Sequence, residues 1–229
     1  LDTLIPPSHR PIKLLKGALP LNSANLRKED TQLKIMAIIG KILEKHEGER
    51  GVILLTQYDQ LYLIFDHKDE LKDKERITFD WKKQDFEITR EEHMAKEDSV
   101  IVTTKATTGI DLPYHQSRFQ IILKAPWTEK VHKHQNARWD RMREEDPDIF
   151  WKESASRFVQ FCGRSVRHVD DHAVTYVLDH ACEYMYNNNY DIIPRWFRPE
   201  KMSFNDMTRM GIDPEVKYNL DSNDDDLKN

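Results

Sequence analysis

Apolar residues fall along this chain in two alternating kinds of run. Short dense blocks, Val52 to Thr56, Arg76-Ile77-Thr78-Phe79, Ser99 to Thr103, Phe119 to Leu123 and Ala173 to Leu178, read as buried strands. Between them lie stretches in which apolar positions recur every three or four residues, the period of a helix with one covered face. One such stripe carries Leu26, Leu33, Met36, Ala37, Ile39, Ile42 and Leu43, with Asn22-Ser23 as expected caps and an end near Gly48. A second runs from Tyr58 to Leu71. A long helical stretch between the last two strands is interrupted at Asp146-Pro147-Asp148. Its second piece, expected from Ile149 to about Arg167, carries Phe150, Trp151, Ala155, Phe158, Val159 and Cys162. Ile12 to Ala18 reads as a short strand before Pro20, preceded by a proline-rich, extended opening. Strands alternating with helices, without hairpin signals, predict βαβ units: an α/β fold with a mostly parallel sheet covered on both faces.

Composition narrows the class. A chain of 229 residues with 38% hydrophobic and 33% charged residues has material for one large core, which excludes wholesale disorder. Its longest apolar runs are far too short to cross a bilayer. Two cysteines, Cys162 and Cys182, supply neither a disulfide framework nor a paired CxxC zinc site. That points to a reducing compartment, cytoplasmic or nuclear, and nothing at the start has the shape of a secretion signal. The first residue is Leu1, which suggests a fragment or a processed chain. A net charge of −5 argues against a uniformly basic coat for nucleic acid but leaves room for a local basic groove. The acidic run at Asp221 to Asp226 is expected to be solvated and disordered. The expected organisation is therefore a linker or a strand from a preceding domain over 1–20, the α/β domain over 21–200 and an extension over 201–229.

Three segments carry chemistry. Thr103-Thr104-Lys105-Ala106-Thr107-Thr108-Gly109-Ile110-Asp111 takes a strand into a hydroxyl-rich turn. Hydroxyls, backbone N–H groups and a lysine suit a phosphate backbone, and Asp111 can accept from a ribose or an arginine. The bland alternative is an ordinary polar loop. In Gln160-Phe161-Cys162-Gly163-Arg164-Ser165-Val166-Arg167, the spacing predicts one helix face bearing Gln160, Arg164 and Arg167, with Gly163 thinning the surface beside them. Guanidinium groups beside a glutamine suit a phosphoryl group, where arginine neutralises charge and glutamine positions water. Arginines paired with Asp170 and Asp171 are the bland alternative. In Gly51 to Tyr58 a buried strand ends by presenting Tyr58 to a base or sugar, or simply packs it against the following helix.

In order and spacing these segments resemble the second motor domain of superfamily 2 DNA helicases of the XPD/DinG type. The fourth motif of that family ends in a Ser-Tyr-like pair, matched by Gln57-Tyr58. Its fifth runs Lys-x-x-Glu-Gly-Ile-Asp, matched from Lys105 to Asp111, and leads to a strand ending in Pro-Tyr, matched by Pro126-Trp127. Its sixth is Gln-x-x-Gly-Arg-x-x-Arg, matched from Gln160 to Arg167, followed by a strand and Asp179. Pro194-Arg195-Trp196-Phe197 matches the close of such domains. Gln57 for serine, Thr108 for an acidic residue and His172 for glycine are the departures.

The resemblance implies a RecA-like three-layer α/β/α domain. It implies Arg164 and Arg167 as fingers, Gln160 near the attacking water, and Gly109, Asp111 and Gly163 at the nucleotide. Single-stranded DNA would be held by Thr104, Lys105 and Thr107, with Tyr58, Trp127, Arg138 and Arg141 as further contacts. The chain has no G-x-x-x-x-G-K-[ST] and no Asp-Glu-x-His string, so ATP and Mg2+ would be held mainly by a first RecA-like domain carrying the P-loop. An iron–sulfur cluster, where the family has one, would lie in that other part, since two cysteines cannot hold it. Movement would be 5′→3′, no membrane is involved, and this chain alone would not hydrolyse ATP. Two rival readings remain. Non-catalytic retention as an interaction module is one. A metal-dependent phosphohydrolase built on His168, Asp170, Asp171, His172, Asp179, His180 and Cys182 is the other. His132-Lys133-His134 is read as an exposed helix face.

Overall fold

A computed structural model describes residues 5–15, 20–105, 110–127, 140–188, 193–194, 197 and 200–202. Seven strands are described: β1 (Ile12–Leu15), β2 (Gly51–Leu54), β3 (Ile77–Phe79), β4 (Val100–Thr103), β5 (Phe119–Ile122), β6 (Val174–Val177) and β7 (Glu200–Met202). They form one sheet in the order β3-β4-β2-β5-β6-β1-β7, and every pairing is parallel. Parallel pairing forces each connection to cross back over a face, which is why helices alternate with the strands. These are α1 (Glu29–Lys45), α2 (Tyr58–Asp66), α3 (Phe86–Ala95), α4 (Ile149–Cys162) and α5 (His180–Asn188).

Alternate side chains of the central strands serve two cores, as the pleat dictates. Ile53, Leu55, Val100, Val102, Phe119 and Ile121 join the apolar stripe of α1 and Leu61 and Ile64 of α2. Val52, Leu54, Ile101 and Ile122 join Ala155, Phe158 and Phe161 of α4 and Cys182 and Met185 of α5. Both cysteines are buried and free, and burial pushes their thiols well above the ordinary value. Gly51 is required where it stands: a Cβ there would lie 2.4 Å from the Phe119 ring, which itself stacks on His46 at 4.4 Å.

The strands fall where the apolar blocks predict them, and β1 pairs with β6 inside the sheet. Other details depart from expectation. Asn22 accepts from the Asn25 amide at 2.8 Å and so caps a short turn over Asn25–Arg27, while α1 itself starts at Glu29. α2 stops at Asp66 and gives way to a single 3₁₀ turn over Lys68–Glu70 before Leu71. α4 ends at Cys162 rather than near Arg167, and the periodicity missed α3, α5 and β7 altogether. Among the described residues no helix is long and apolar enough to cross a membrane. The acidic tail, His132-Lys133-His134, Arg138, Thr107 and Gly109 lie outside the described residues.

Candidate functional site

In a parallel sheet all strands end on one edge, so polar groups gather at two opposite edges: the carboxyl ends and the amino ends. The predicted residues divide between them.

At the carboxyl edge Thr103, Thr104 and Lys105 leave β4 beside Asp80, which leaves β3. Asp80 is fully buried. Its carboxylate accepts from Thr103 Oγ1 at 2.6 Å and Lys105 Nζ at 2.7 Å, and Thr89 Oγ1 of α3 stands at 3.5 Å. Lys105 Nζ also donates to the Gln84 carbonyl at 3.1 Å. The lysine expected to meet phosphate is therefore anchored on a buried acid, with its side chain 22% exposed. Burying one charge without the other would be costly, so the pair is retained together.

Beside it a groove of about 390 Å³ opens between the ends of β2 and β5, with α4 as one wall. Gln57, Lys124, Trp127, Arg157 and Gln160 line it. Trp127 is held by stacking on Phe150 at 5.8 Å, nearly parallel, and by Trp151 edge-on at 5.7 Å. Asp179, buried at the end of β6, fixes this rim. It accepts from the amides of Ala125 at 2.9 Å, Leu21 at 3.1 Å and Ala181 at 3.0 Å. Tyr58 is half-buried, packing against the α1–α2 core, with Lys82 Nζ 5.7 Å from its ring centre. Arg141 is exposed on a helical stretch over 140–145.

The two arginines lie elsewhere. Because α4 stops at Cys162, with Gly163 as its cap, Arg164 occupies a turn and Arg167 the irregular segment that precedes β6. Gln160, Arg164 and Arg167 thus do not share a helix face, and the arginines sit toward the amino edge, not at the carboxyl ends of strands. The physical cause is a buried hydroxyl–amide network. Gln120 of β5 donates to the Phe161 carbonyl at 3.1 Å and to Thr175 Oγ1 at 2.7 Å. Its oxygen accepts from Ser165 Oγ at 3.0 Å, and the Ser165 and Ser117 hydroxyls are 2.8 Å apart. All of these groups are buried and satisfied, so continuing the helix would leave several unpaired. Among the described residues no other part of the chain presses on Gly163: a Cβ there would meet only its own helix carbonyls, at 3.6 and 3.7 Å.

Arg167 Nε donates to Asp111, both exposed, so of the two acceptor roles open to Asp111 the structure shows the arginine. Arg164 is different. Its guanidinium is half-buried, and among the described residues its buried Nε has no partner. Burial lowers its pKa, the neighbouring Arg167 charge adds to that, and Asp111 opposes it. The alternative pairing of these arginines with Asp170 and Asp171 does not occur. Asp171 is buried and accepts instead from Arg118 Nη1 at 3.2 Å, the Tyr114 amide at 2.9 Å and the His172 amide at 2.8 Å. Asp170 stands 3.3 Å from His168. The groups of the metal reading are split, with His168 to His172 before β6 and Asp179 to Cys182 after it. Among the described residues no three of them gather.

Sequence reasoning missed Asp80, Gln120 and Tyr114. Two carried a signal. Gln120 interrupts a buried apolar strand, and a buried amide must find partners. Asp80 closes β3 as a lone acid after an apolar run.

A family model described as the helicase C-terminal domain matches residues 39–200. Among solved structures, the chain is similar to one titled XPD_Helicase, with a TM-score of 0.59 and 13% identity over 84% of this chain and 35% of that one. It is also similar to S. tokodaii Xpd4, with a TM-score of 0.53 and 15% identity over 81% and 37%. A third is the C-terminal domain of S. cerevisiae Dbp5, bound to Gle1 and IP6, at 0.50 and 11% over 90% and 93%. Identities this low speak for a shared RecA-like fold, and the chain spans about a third of the two XPD structures. A search of curated proteins gives no match. The matched segment holds the whole sheet from β2 to β6 and both arginines, and with it the chain belongs to the helicase C-terminal domain family.

Proposed function

We propose that this chain is the second motor domain of an ATP-dependent DNA helicase of the XPD/DinG type. In this reading Arg164 and Arg167 are offered to a triphosphate bound by a first motor domain that carries the P-loop and its Mg2+. The observation that carries it is Arg164. A half-buried guanidinium with no ion pair among the described residues is costly in isolation, and a phosphoryl group supplies an anion of the right charge to its outward-facing nitrogens. Arg167, exposed and held by Asp111, stands two residues beyond Ser165 on the same anchored segment. Together they complete the charge around the γ-phosphoryl group when the two lobes close, and its departure releases them.

Thr104, Lys105, Tyr58 and Trp127 at the carboxyl edge, together with Arg141 and with Thr107 and Arg138 outside the described residues, are the proposed contacts to single-stranded DNA. Trp127 supplies a face for a base and the cations neutralise phosphate. Gln160 lines the groove with Trp127, so its role near attacking water requires the first lobe to reach that groove. Gly109, Asp111 and Gly163 are assigned to the nucleotide side, movement is 5′→3′, and the chain alone does not hydrolyse ATP.

One observation favours the rival reading of a non-catalytic interaction module. Lys105 and Arg167 both satisfy their charges within the chain. The deciding experiment uses the full-length protein. Arg164→Ala lowers DNA-stimulated ATP hydrolysis by about 10³-fold or more while ATP binding is preserved. Retained hydrolysis in that variant refutes the finger assignment.

A further inference from the structure

Among the described residues, Tyr114 is the one non-glycine residue with positive φ, at 55°. An L-residue with a bulky side chain enters that left-handed region only under constraint, and glycine or asparagine would occupy it without strain. The constraint is visible. The Tyr114 amide donates to Asp171 Oδ2 at 2.9 Å. Asp171 is itself immobilised, fully buried, by Arg118 and by the His172 amide.

Tyr114 keeps 42% of its surface exposed, so part of the ring stays open for a further contact. What the arrangement secures is the direction of the ring. It lies with its centre 6.0 Å from that of His168, the residue after Arg167. Tyr114 also follows Asp111, which holds Arg167, by three positions. A strained, anchored and exposed aromatic ring thus stands on the same edge as the two arginines.

We infer that Tyr114 is the base-stacking surface of the nucleotide site, receiving the nucleobase of the nucleotide whose phosphates meet Arg164 and Arg167. The inference rests on the proposed function and assigns the part of the ligand that the arginines leave unaddressed. Stacking is insensitive to base-edge chemistry, since every nucleobase presents a π-face, so the site takes purine and pyrimidine nucleotides in order of stacking strength. Tyr114 is a binding group and takes no part in bond making. Its loss therefore weakens binding of ground state and transition state alike.

The test uses the full-length protein, with ATP as substrate and inorganic tripolyphosphate as a competitor that has no base. Tyr114→Ala raises the KM for ATP about tenfold with kcat within about twofold, and leaves inhibition by tripolyphosphate unchanged. Tyr114→Phe keeps the ring and stays near the unsubstituted KM. Tyr114→Leu keeps apolar bulk without a π-face and behaves like alanine, which separates stacking from packing. An unchanged KM in the leucine variant overturns the inference. So does a loss of tripolyphosphate inhibition as large as the loss of ATP affinity, because the change would then be a displaced arginine turn. If Arg164→Ala leaves hydrolysis intact, the functional reading itself fails. If Arg164→Ala abolishes hydrolysis while Tyr114→Leu retains its KM, only the stacking assignment falls.

Discussion

The Asp80–Lys105 pair yields the sharpest energetic prediction, because its two members are unequally buried. Asp80 is fully buried, whereas the lysine side chain is 22% exposed and reaches it from the edge. Substituting Lys105→Met leaves a carboxylate inside the protein with the Thr103 hydroxyl at 2.6 Å, the more distant Thr89 hydroxyl and no cation. An uncompensated buried charge of this kind costs about 3–5 kcal/mol. Asp80→Asn keeps the shape and removes the charge, and the freed lysine can turn toward water. That change costs about 1–3 kcal/mol, mostly from misdirected hydrogen bonds. The double variant has neither charge to desolvate, so it should lie well below the sum of the two singles, with a coupling of about 2 kcal/mol. Urea unfolding of all four proteins measures this through the midpoint, provided the slope is unchanged. Additivity within about 0.5 kcal/mol refutes the reasoning. The cycle also guards the functional reading: a Lys105 variant that binds single strands poorly is informative only if the double variant, with its stability restored, binds poorly too.

Two further predictions concern groups the periodicity did not reveal. His93 of α3 is buried, with Nε2 2.7 Å from the Gln116 carbonyl, and burial pulls its pKa down to about 4, the Gln116 bond opposing and the Arg50 and Lys96 charges assisting. The unfolded histidine titrates near 6.5, so between about pH 6.5 and 4 the unfolded chain holds a proton that the folded chain refuses. Stability is complete above that window and falls by about 3 kcal/mol on acidification through it. Urea midpoints at pH 7 and 4.5 should diverge more in the natural protein than in His93→Gln; equal divergence removes His93 as the source. Asp179→Ala orphans the amides of Leu21, Ala125 and Ala181 and should cost about 3 kcal/mol in the same assay, whereas a loss below about 1 kcal/mol sinks its role in fixing the groove rim.

Strands were legible because the central ones are buried on both faces and read as nearly continuous short apolar runs, with Gln120 in β5 an exception. α3 was illegible for the opposite reason. Its buried positions are Thr89 and His93, whose partners are Asp80 and the Gln116 carbonyl, while Ile88 is 51% exposed. An inward face made of polar groups has no hydrophobic period, and only Asp85, accepting from the Glu87 amide at 3.2 Å, marks the start of the helix. α5 buries just Cys182 and Met185, too little to register. Residue types for the candidate site come from the resemblance, and their placement in the fold does not follow from it. Asp80 with Lys105, and Asp171 with Tyr114, are separated by 25 and 57 positions along the chain, and no local pattern joins them.

The sixth-motif segment reads as one helix face for a related reason. A period of 3.6 puts Gln160, Arg164 and Arg167 in line only while the helix continues, and local sequence contains no reason for it to stop beyond one glycine. The reason is Gln120, 45 positions earlier than Ser165, whose amide claims the Phe161 carbonyl and the Ser165 hydroxyl at once. That single side chain therefore sets both the end of α4 and the start of the arginine turn. Gln160 is left facing the groove at the carboxyl edge, and Arg164 is turned toward the amino edge. One short string thus serves two surfaces, and any sliding of α4 along β5 must break the Gln120 bonds before either surface can move independently of the other. The two edges of the sheet are held in register by a buried amide rather than by Arg164 and Arg167.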